Sequence, residues 1–269
     1  MSHTSHQTGL DALAAMFADA KAASRAAFLP YFPIGFPTYA ESLDAIAAMA
    51  AVGVDGFEIG IPFSDPLADG PTIQAATQIA LENGVTVRRC LDAVRDLRAR
   101  GVRQPMLLMG YLNPLLAFGL EAFVQAAQAA GANGVIVPDL PPEESDLIGD
   151  ACARYGLALV AFLAPTSNKQ RIALAAARAT GFIYVVSVTG VTGARAELPP
   201  GLEDFIGQVR AQTDKPLVLG FGISRPEQAR RMNGLVDGFI VGSALVKAAQ
   251  SGIHSVRDLA ASLRAALDA

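Results

Sequence analysis

A glutamate inside an apolar strand pattern and two aspartates in the breaker-rich loop after it are the side chains best placed to do chemistry. They lie in Val54-Asp-Gly-Phe-Glu-Ile-Gly-Ile-Pro-Phe-Ser-Asp-Pro-Leu-Ala-Asp-Gly-Pro-Thr-Ile-Gln74. Side chains alternate along a strand, so Val54, Gly56, Glu58 and Gly60 share one face and Asp55, Phe57 and Ile59 the other. A carboxyl buried among small and apolar neighbours must be paired, hydrogen-bonded or pushed toward its neutral form. A raised pKa is what a group moving protons near neutral pH requires. A structural glutamate bonded to a backbone amide or an arginine satisfies the same burial. Pro62, Pro66 and Pro71, with Gly60 and Gly70, forbid regular structure beyond the strand, and helix resumes from about Thr72. Asp65 and Asp69 lie in this loop. Asp69-Gly70-Pro71 reads as a turn feeding a helix, with the aspartate either a helix cap or a second functional carboxylate.

A chain of 269 residues with 52% hydrophobic content can bury one large core without dividing into domains. A formal charge of −4 supplies no basic field for nucleic acid or an anionic membrane. Cys90 and Cys152 fall in helix-like segments and read as buried thiols in a reducing compartment, and His3, His6 and His254 lack ligand spacing, which argues against zinc. No stretch is long and apolar enough to span a bilayer, and the polar start Met1-Ser-His-Thr-Ser-His-Gln lacks the regions of a signal peptide, so a cytoplasmic protein is expected.

The elements that must position the carboxylates follow from hydrophobic period. Helical spacing over Leu10–Ala23 precedes a strand at Phe28–Ile34 and a helix at Tyr39–Ala51. After the key strand come helices at Ile73–Glu82 and Val85–Arg100. Strands then alternate with helices: Pro105–Met109, Gly134–Val137, Leu157–Leu163, Phe182–Ser187, Pro216–Leu219 and Gly238–Val241, with helices at Leu120–Ala130, Glu143–Tyr155, Lys169–Ala179, Leu202–Ala211, after Pro226 and on both sides of Ser251-Gly252. Roughly eight strands, each followed by helix, predict an α/β fold: a single (β/α)₈ TIM barrel with an extra N-terminal helix, an open doubly wound sheet being the alternative. The expected division is a disordered tail over 1–7, the N-terminal helix over 8–23, a barrel core over 28–247 and a C-terminal helix over 253–268. In a barrel the C-terminal strand ends form the active face, toward which Glu58 points with Asp69 above it. Tyr184, on the sixth strand, reaches the same cavity or is a core tyrosine with one hydrogen bond. Glycines at three late strand ends, in Val191-Thr-Gly193, Gly220-Phe-Gly222 and Val241-Gly-Ser243, suit close backbone approach to a phosphorylated substrate, although each alone is commonly a turn.

The run Phe57-Glu-Ile-Gly-Ile-Pro-Phe-Ser-Asp-Pro-Leu-Ala-Asp-Gly-Pro-Thr-Ile-Gln74 closely resembles the signature of the tryptophan synthase α subunit family. Pro138-Asp-Leu-Pro-Pro-Glu-Glu144, Ser187-Val-Thr-Gly-Val-Thr-Gly193, Gly220-Phe-Gly-Ile-Ser224 and Val241-Gly-Ser-Ala-Leu-Val-Lys247 resemble further family motifs in family order. The resemblance implies retro-aldol cleavage of indole-3-glycerol phosphate to indole and glyceraldehyde 3-phosphate, with no cofactor in this chain. By motif position Glu58 matches the acid–base glutamate, Asp69 the aspartate facing the indole nitrogen, and Tyr184 a tyrosine near the glutamate. Tyr31, Ile73 and Met109 match the indole pocket, and Gly193, Phe221, Gly222, Gly242 and Ser243 the rest of the substrate site, with phosphate at the glycines and the serine. Val188 stands where some members carry arginine. The resemblance also implies an α₂β₂ assembly with a β subunit that holds pyridoxal phosphate and receives indole through a tunnel. The 62–71 loop is expected to become ordered with ligand and partner. A freestanding indole-releasing lyase, a regulatory phosphate-binding subunit and another sugar-phosphate barrel enzyme are the competing readings.

Overall fold

The computed structural model describes residues 8–186, 200–220 and 222–268. In chain order these form α1 (Gly9–Ala22), β1 (Ala27–Pro33), α2 (Tyr39–Ala51), β2 (Phe57–Gly60), α3 (Pro71–Glu82), α4 (Val87–Ala99), β3 (Met106–Met109), α5 (Leu112–Phe118) and α6 (Leu120–Ala130). There follow β4 (Gly134–Ile136), a 3₁₀ turn (Pro142–Glu144), α7 (Asp146–Tyr155), β5 (Ala158–Leu159), β6 (Ala161–Leu163), α8 (Lys169–Arg178), β7 (Ile183–Val186) and α9 (Leu202–Arg210). The chain closes with β8 (Leu217–Gly220), α10 (Pro226–Arg230), β9 (Gly238–Val241), α11 (Ser243–Ala249) and α12 (Ile253–Ala265). The expected tail over 1–7 lies outside the described residues.

All strand pairs are parallel, in the order β5-β4-β3-β2-β1-β9-β8-β7-β6. The expected fifth strand, 157–163, is two segments that together close the ring. Its first half pairs with β4, and its second half turns to pair with β7. This is the (β/α)₈ barrel, and the open-sheet alternative falls away. Strands β1 to β4, β8 and β9 are buried almost throughout, as a parallel sheet covered by helices requires.

Helix boundaries move from their expected positions for local reasons. α4 starts at Val87 because the Thr86 side chain accepts a hydrogen bond from the Arg89 amide and so caps it. α3 starts at Pro71, whose missing amide hydrogen costs nothing at a first helical position. The expected helix from Glu143 is interrupted, becoming a 3₁₀ turn and then α7. α5 is not among the expected helices; Pro114 sits in its first turn, where proline is tolerated.

α1 closes the N-terminal end of the barrel. Thr8 and Asp11 cap it reciprocally, and Leu13, Met16, Phe17 and Ala20 are buried. Glycines admit these side chains. A Cβ on Gly56 would stand 2.9 Å from Met16 Sδ, one on Gly238 3.3 Å from the Phe17 ring, and one on Gly181 3.4 Å from Leu13. Beside this plug, Arg25 meets Asp55 through two 2.7 Å hydrogen bonds, with side chains 8% and 9% exposed, and the Phe28 amide donates to the same carboxylate at 2.8 Å. Asp55 thus ties the start of β1 to the segment entering β2. Asp55→Ala would strand a buried guanidinium, and we expect it to lower unfolding free energy by about 3–5 kcal/mol in urea melts, whereas Asp44→Ala, which breaks the exposed pair with Arg100, should cost under about 1 kcal/mol.

Candidate active site

Glu58 lies on β2 in register with Tyr31 on β1 and Leu107 on β3, and is 2% exposed. Burial pushes its carboxyl up to about 8, and the negative charge of Asp69 adds to the shift. The barrel therefore keeps Glu58 protonated at neutral pH.

Asp69 is also buried, in the loop between β2 and α3. Burial raises its pKa to about 6, and a 3.1 Å hydrogen bond from the Tyr111 hydroxyl works in the opposite direction. The N-cap of α3 is Gly70, so Asp69 stands one residue before the capping position. Short-range backbone bonds shape the loop: the Leu67 amide donates to the Asp65 carbonyl at 2.9 Å and the Asp69 amide to that of Pro66 at 3.0 Å. The Gln74 side chain donates to the Asp69 carbonyl at 2.8 Å.

Two tyrosines share this cavity. A Cβ on Gly60 would lie 2.5 Å from the Tyr31 hydroxyl, and one on Gly242 3.2 Å from the Tyr31 ring, so the ring is packed against the ends of β2 and β9. Gly220 likewise makes room for Tyr184, whose ring stacks on Phe162 at 4.7 Å between centroids. Burial holds both phenols well above their usual pKa, and the charges of Glu58 and Asp69 add to this, so both remain neutral donors facing the carboxylates.

Met109 ends β3 opposite Gly60, and Ile73 is buried in the first turn of α3, on the segment that carries Asp69. Gly222 follows β8 with φ +75°, a backbone conformation suited to glycine. Gly242 and Ser243 stand at the junction of β9 and α11. Expected site residues Gly193 and Phe221, and Val188, lie outside the described residues. The missing side chain of Gly242 accommodates Tyr31, a packing role apart from the expected one.

The residue missed from sequence is Tyr111, 3% exposed, at the head of α5. Its position at the C-terminal end of a barrel strand was the available signal. Among the described residues no group of three or more His, Cys, Asp or Glu could hold a metal ion, and no helix is long and apolar enough to cross a membrane.

The sequence model of the tryptophan synthase alpha chain family matches residues 17–268. The tryptophan synthase alpha chain of Chloroflexus aurantiacus is 52% identical over 234 residues, which cover 87% of this chain and 88% of the relative. That of Synechococcus elongatus is 43% identical over 261 residues, covering 96% and 98%. Among solved structures, a chain of Mycobacterium tuberculosis tryptophan synthase is similar with TM-score 0.90 at 38% identity, over 96% of this chain and 98% of that one. The chain belongs to the tryptophan synthase alpha chain family. As a member of that family it is a carbon–carbon lyase, cleaving indole-3-glycerol phosphate to indole and glyceraldehyde 3-phosphate.

A buried acid in this alpha chain has a cost in stability. The folded-state pKa of Glu58 is raised from 4.5 to about 8, so the native state holds a proton that the unfolded state releases. Stability from this group is present below about pH 4.5 and is lost as pH rises toward 8. Glu58→Gln removes the titration. We expect it to become more stable relative to the parent chain between pH 5 and pH 9, by on the order of a few kcal/mol at the alkaline end, each pKa unit being worth about 1.4 kcal/mol; parallel urea melts at the two pH values measure it, and an unchanged difference would contradict the buried acid.

Proposed function

We propose that Glu58 is the acid–base group of the cleavage and that Asp69 receives and returns the proton of the indole nitrogen. The observation that carries this reading is the ordering of the two carboxyls. Near pH 7 the proton of the pair belongs to Glu58, because its pKa is about 8, while Asp69, at about 6, is mainly ionised.

The sequence of steps then balances. Glu58 delivers its proton to indole C3 while Asp69 takes the proton from N1, giving the neutral 3H-indole tautomer. The Glu58 carboxylate next removes the proton from the glycerol hydroxyl beside the scissile bond. A C=O bond forms, the C–C bond breaks, and its electron pair restores the aromatic ring as N1 recovers its proton from Asp69. Both carboxyls end as they began, and no step draws on an external oxidant or reductant. Tyr31, Ile73, Met109 and Tyr184 are assigned to the indole end and its carboxylates. Gly193, Phe221, Gly222, Gly242 and Ser243 are assigned to the glycerol phosphate end, after strands where barrels commonly hold phosphate.

Glu58→Gln preserves shape and cannot exchange the proton, so kcat for indole release should fall by about a hundredfold or more with substrate affinity little changed. Single-turnover and binding measurements on the purified chain check this. Retention of a tenth of the parent kcat or more would remove Glu58 from the role.

We further infer that the β subunit, with its pyridoxal phosphate, docks on the active face. Three large apolar side chains follow consecutive strands there: Leu67 after β2, Leu116 on α5 and Leu147 at the start of α7, 87%, 50% and 50% exposed. Apolar exposure of this kind is costly unless a partner covers it. Leu116→Ser and Leu147→Ser should each weaken β-subunit binding about tenfold in titration calorimetry, leaving the melting temperature of the isolated chain essentially unchanged. Parent-like affinity in both variants would move the interface elsewhere.

A further inference from the structure

Asp69 is the carboxylate of the pair that lies in a loop without regular secondary structure, and its orientation must come from outside that loop. Among the described residues, the Gln74 side chain bonds its backbone carbonyl, and two further contacts come from one side chain. The Tyr111 hydroxyl accepts a hydrogen bond from the Ala68 amide at 2.9 Å and donates one to Asp69 Oδ2 at 3.1 Å, so a single oxygen holds both the backbone beside the aspartate and its carboxylate. The ring is itself fixed. It packs against Phe63, from the same loop, at 5.5 Å between centroids, and Tyr111 is the N-cap residue of α5. The first amide of that helix, at Leu112, donates at 2.9 Å to Asp139, which follows β4. Asp139 thus caps α5 from a neighbouring strand end, in the Pro138-Asp-Leu-Pro-Pro motif that the catalytic reading leaves without a task.

We propose that Tyr111 is the positioning residue for Asp69: seated by Phe63 and by the Asp139-capped end of α5, its hydroxyl fixes the loop at Ala68 and aims the aspartate at the site of proton transfer. This rests on the reading of Asp69 given above. The hydroxyl has one lone-pair partner and one proton partner, both in the loop, so neither a phenylalanine nor a smaller alcohol at the same place reproduces it. Removing a hydrogen bond to a charged group in a buried site is expected to lower the rate about ten- to a hundredfold.

The groups facing Asp69 limit what else can account for such an effect. Among the described residues they are Glu58 from β2, Tyr31 from β1, Tyr184 from β7 and Tyr111 itself; Asp139 acts in turn on Tyr111. Of these, the hydroxyl of Tyr111 is the one that bonds to the Asp69 carboxylate and opposes the upward pull of burial. Its loss therefore makes Asp69 harder to ionise.

The test is a double-mutant cycle on the full chain, following indole release from indole-3-glycerol phosphate over pH. Tyr111→Phe keeps the ring against Phe63, so it should fold with the parent's circular dichroism, lower kcat about ten- to a hundredfold with KM little changed, and move the acidic limb of the profile to higher pH. In the Asp69→Asn background the same substitution should cause no further loss and no pH shift. Parent-like kcat and pH profile in Tyr111→Phe, beside an impaired Asp69→Asn, overturn the positioning role while leaving Asp69 in place. An equal loss in both backgrounds also overturns it, because the tyrosine would then act through general structure. Full turnover in Asp69→Asn removes the reading of Asp69 and the proposal together.

Discussion

A carboxylic acid held in the wall of an apolar barrel, with no cation against it among the described residues, is the constraint on which the arrangement depends. Burial raises the energy of charged Glu58, and the second carboxylate raises it further, so the pair is stable with one proton between them. The surroundings then decide which oxygen atoms hold it. Among the described residues no hydrogen bond reaches the Glu58 carboxyl, whereas Asp69 accepts one from a phenol. Two groups of similar intrinsic acidity are thereby given opposite starting states, which is the requirement for adding a proton at one ring atom while removing one at another.

The barrel separates that strained chemistry from the contacts that maintain the fold. At its N-terminal end, α1 fills the opening with Leu13, Met16 and Phe17, and the Arg25–Asp55 pair joins the segments that enter the first two strands. At its C-terminal end polar groups face inward and apolar leucines face outward. The stability lost by burying Glu58 is offset by the rest of the molecule, chiefly by the continuous apolar core of strands and inward helix faces.

Much of this was legible in the residue pattern because period and punctuation are local properties. Strand and helix alternation gave the barrel, and Glu58 stood out as a charge in an apolar run. Asp69 stood out by its place in a loop that prolines and glycines keep irregular. What escaped were relations between distant segments. Tyr111 meets Asp69 across 42 positions of chain, and neither residue's neighbours encode the bond. α5 escaped because Pro114 signals a break in any position except the first turn, and Asp139, which caps that helix, comes from another strand end. The fifth strand reads as one apolar run, yet ring closure bends it into two pairings.

The glycines at 60, 220 and 242 also carry a meaning that a turn or a phosphate reading does not capture. Each stands where a single added carbon would crowd a tyrosine, at 2.5 Å for Gly60 and Gly220 and 3.2 Å for Gly242, so together they make the room in which Tyr31 and Tyr184 sit. Exchange of Gly60 or Gly220 for alanine obliges a tyrosine to shift without touching a carboxylate. Room for Tyr31 and Tyr184 in this barrel therefore depends on three hydrogen atoms, and a larger side chain at any of these positions calls for trimming the ring that those hydrogens admit.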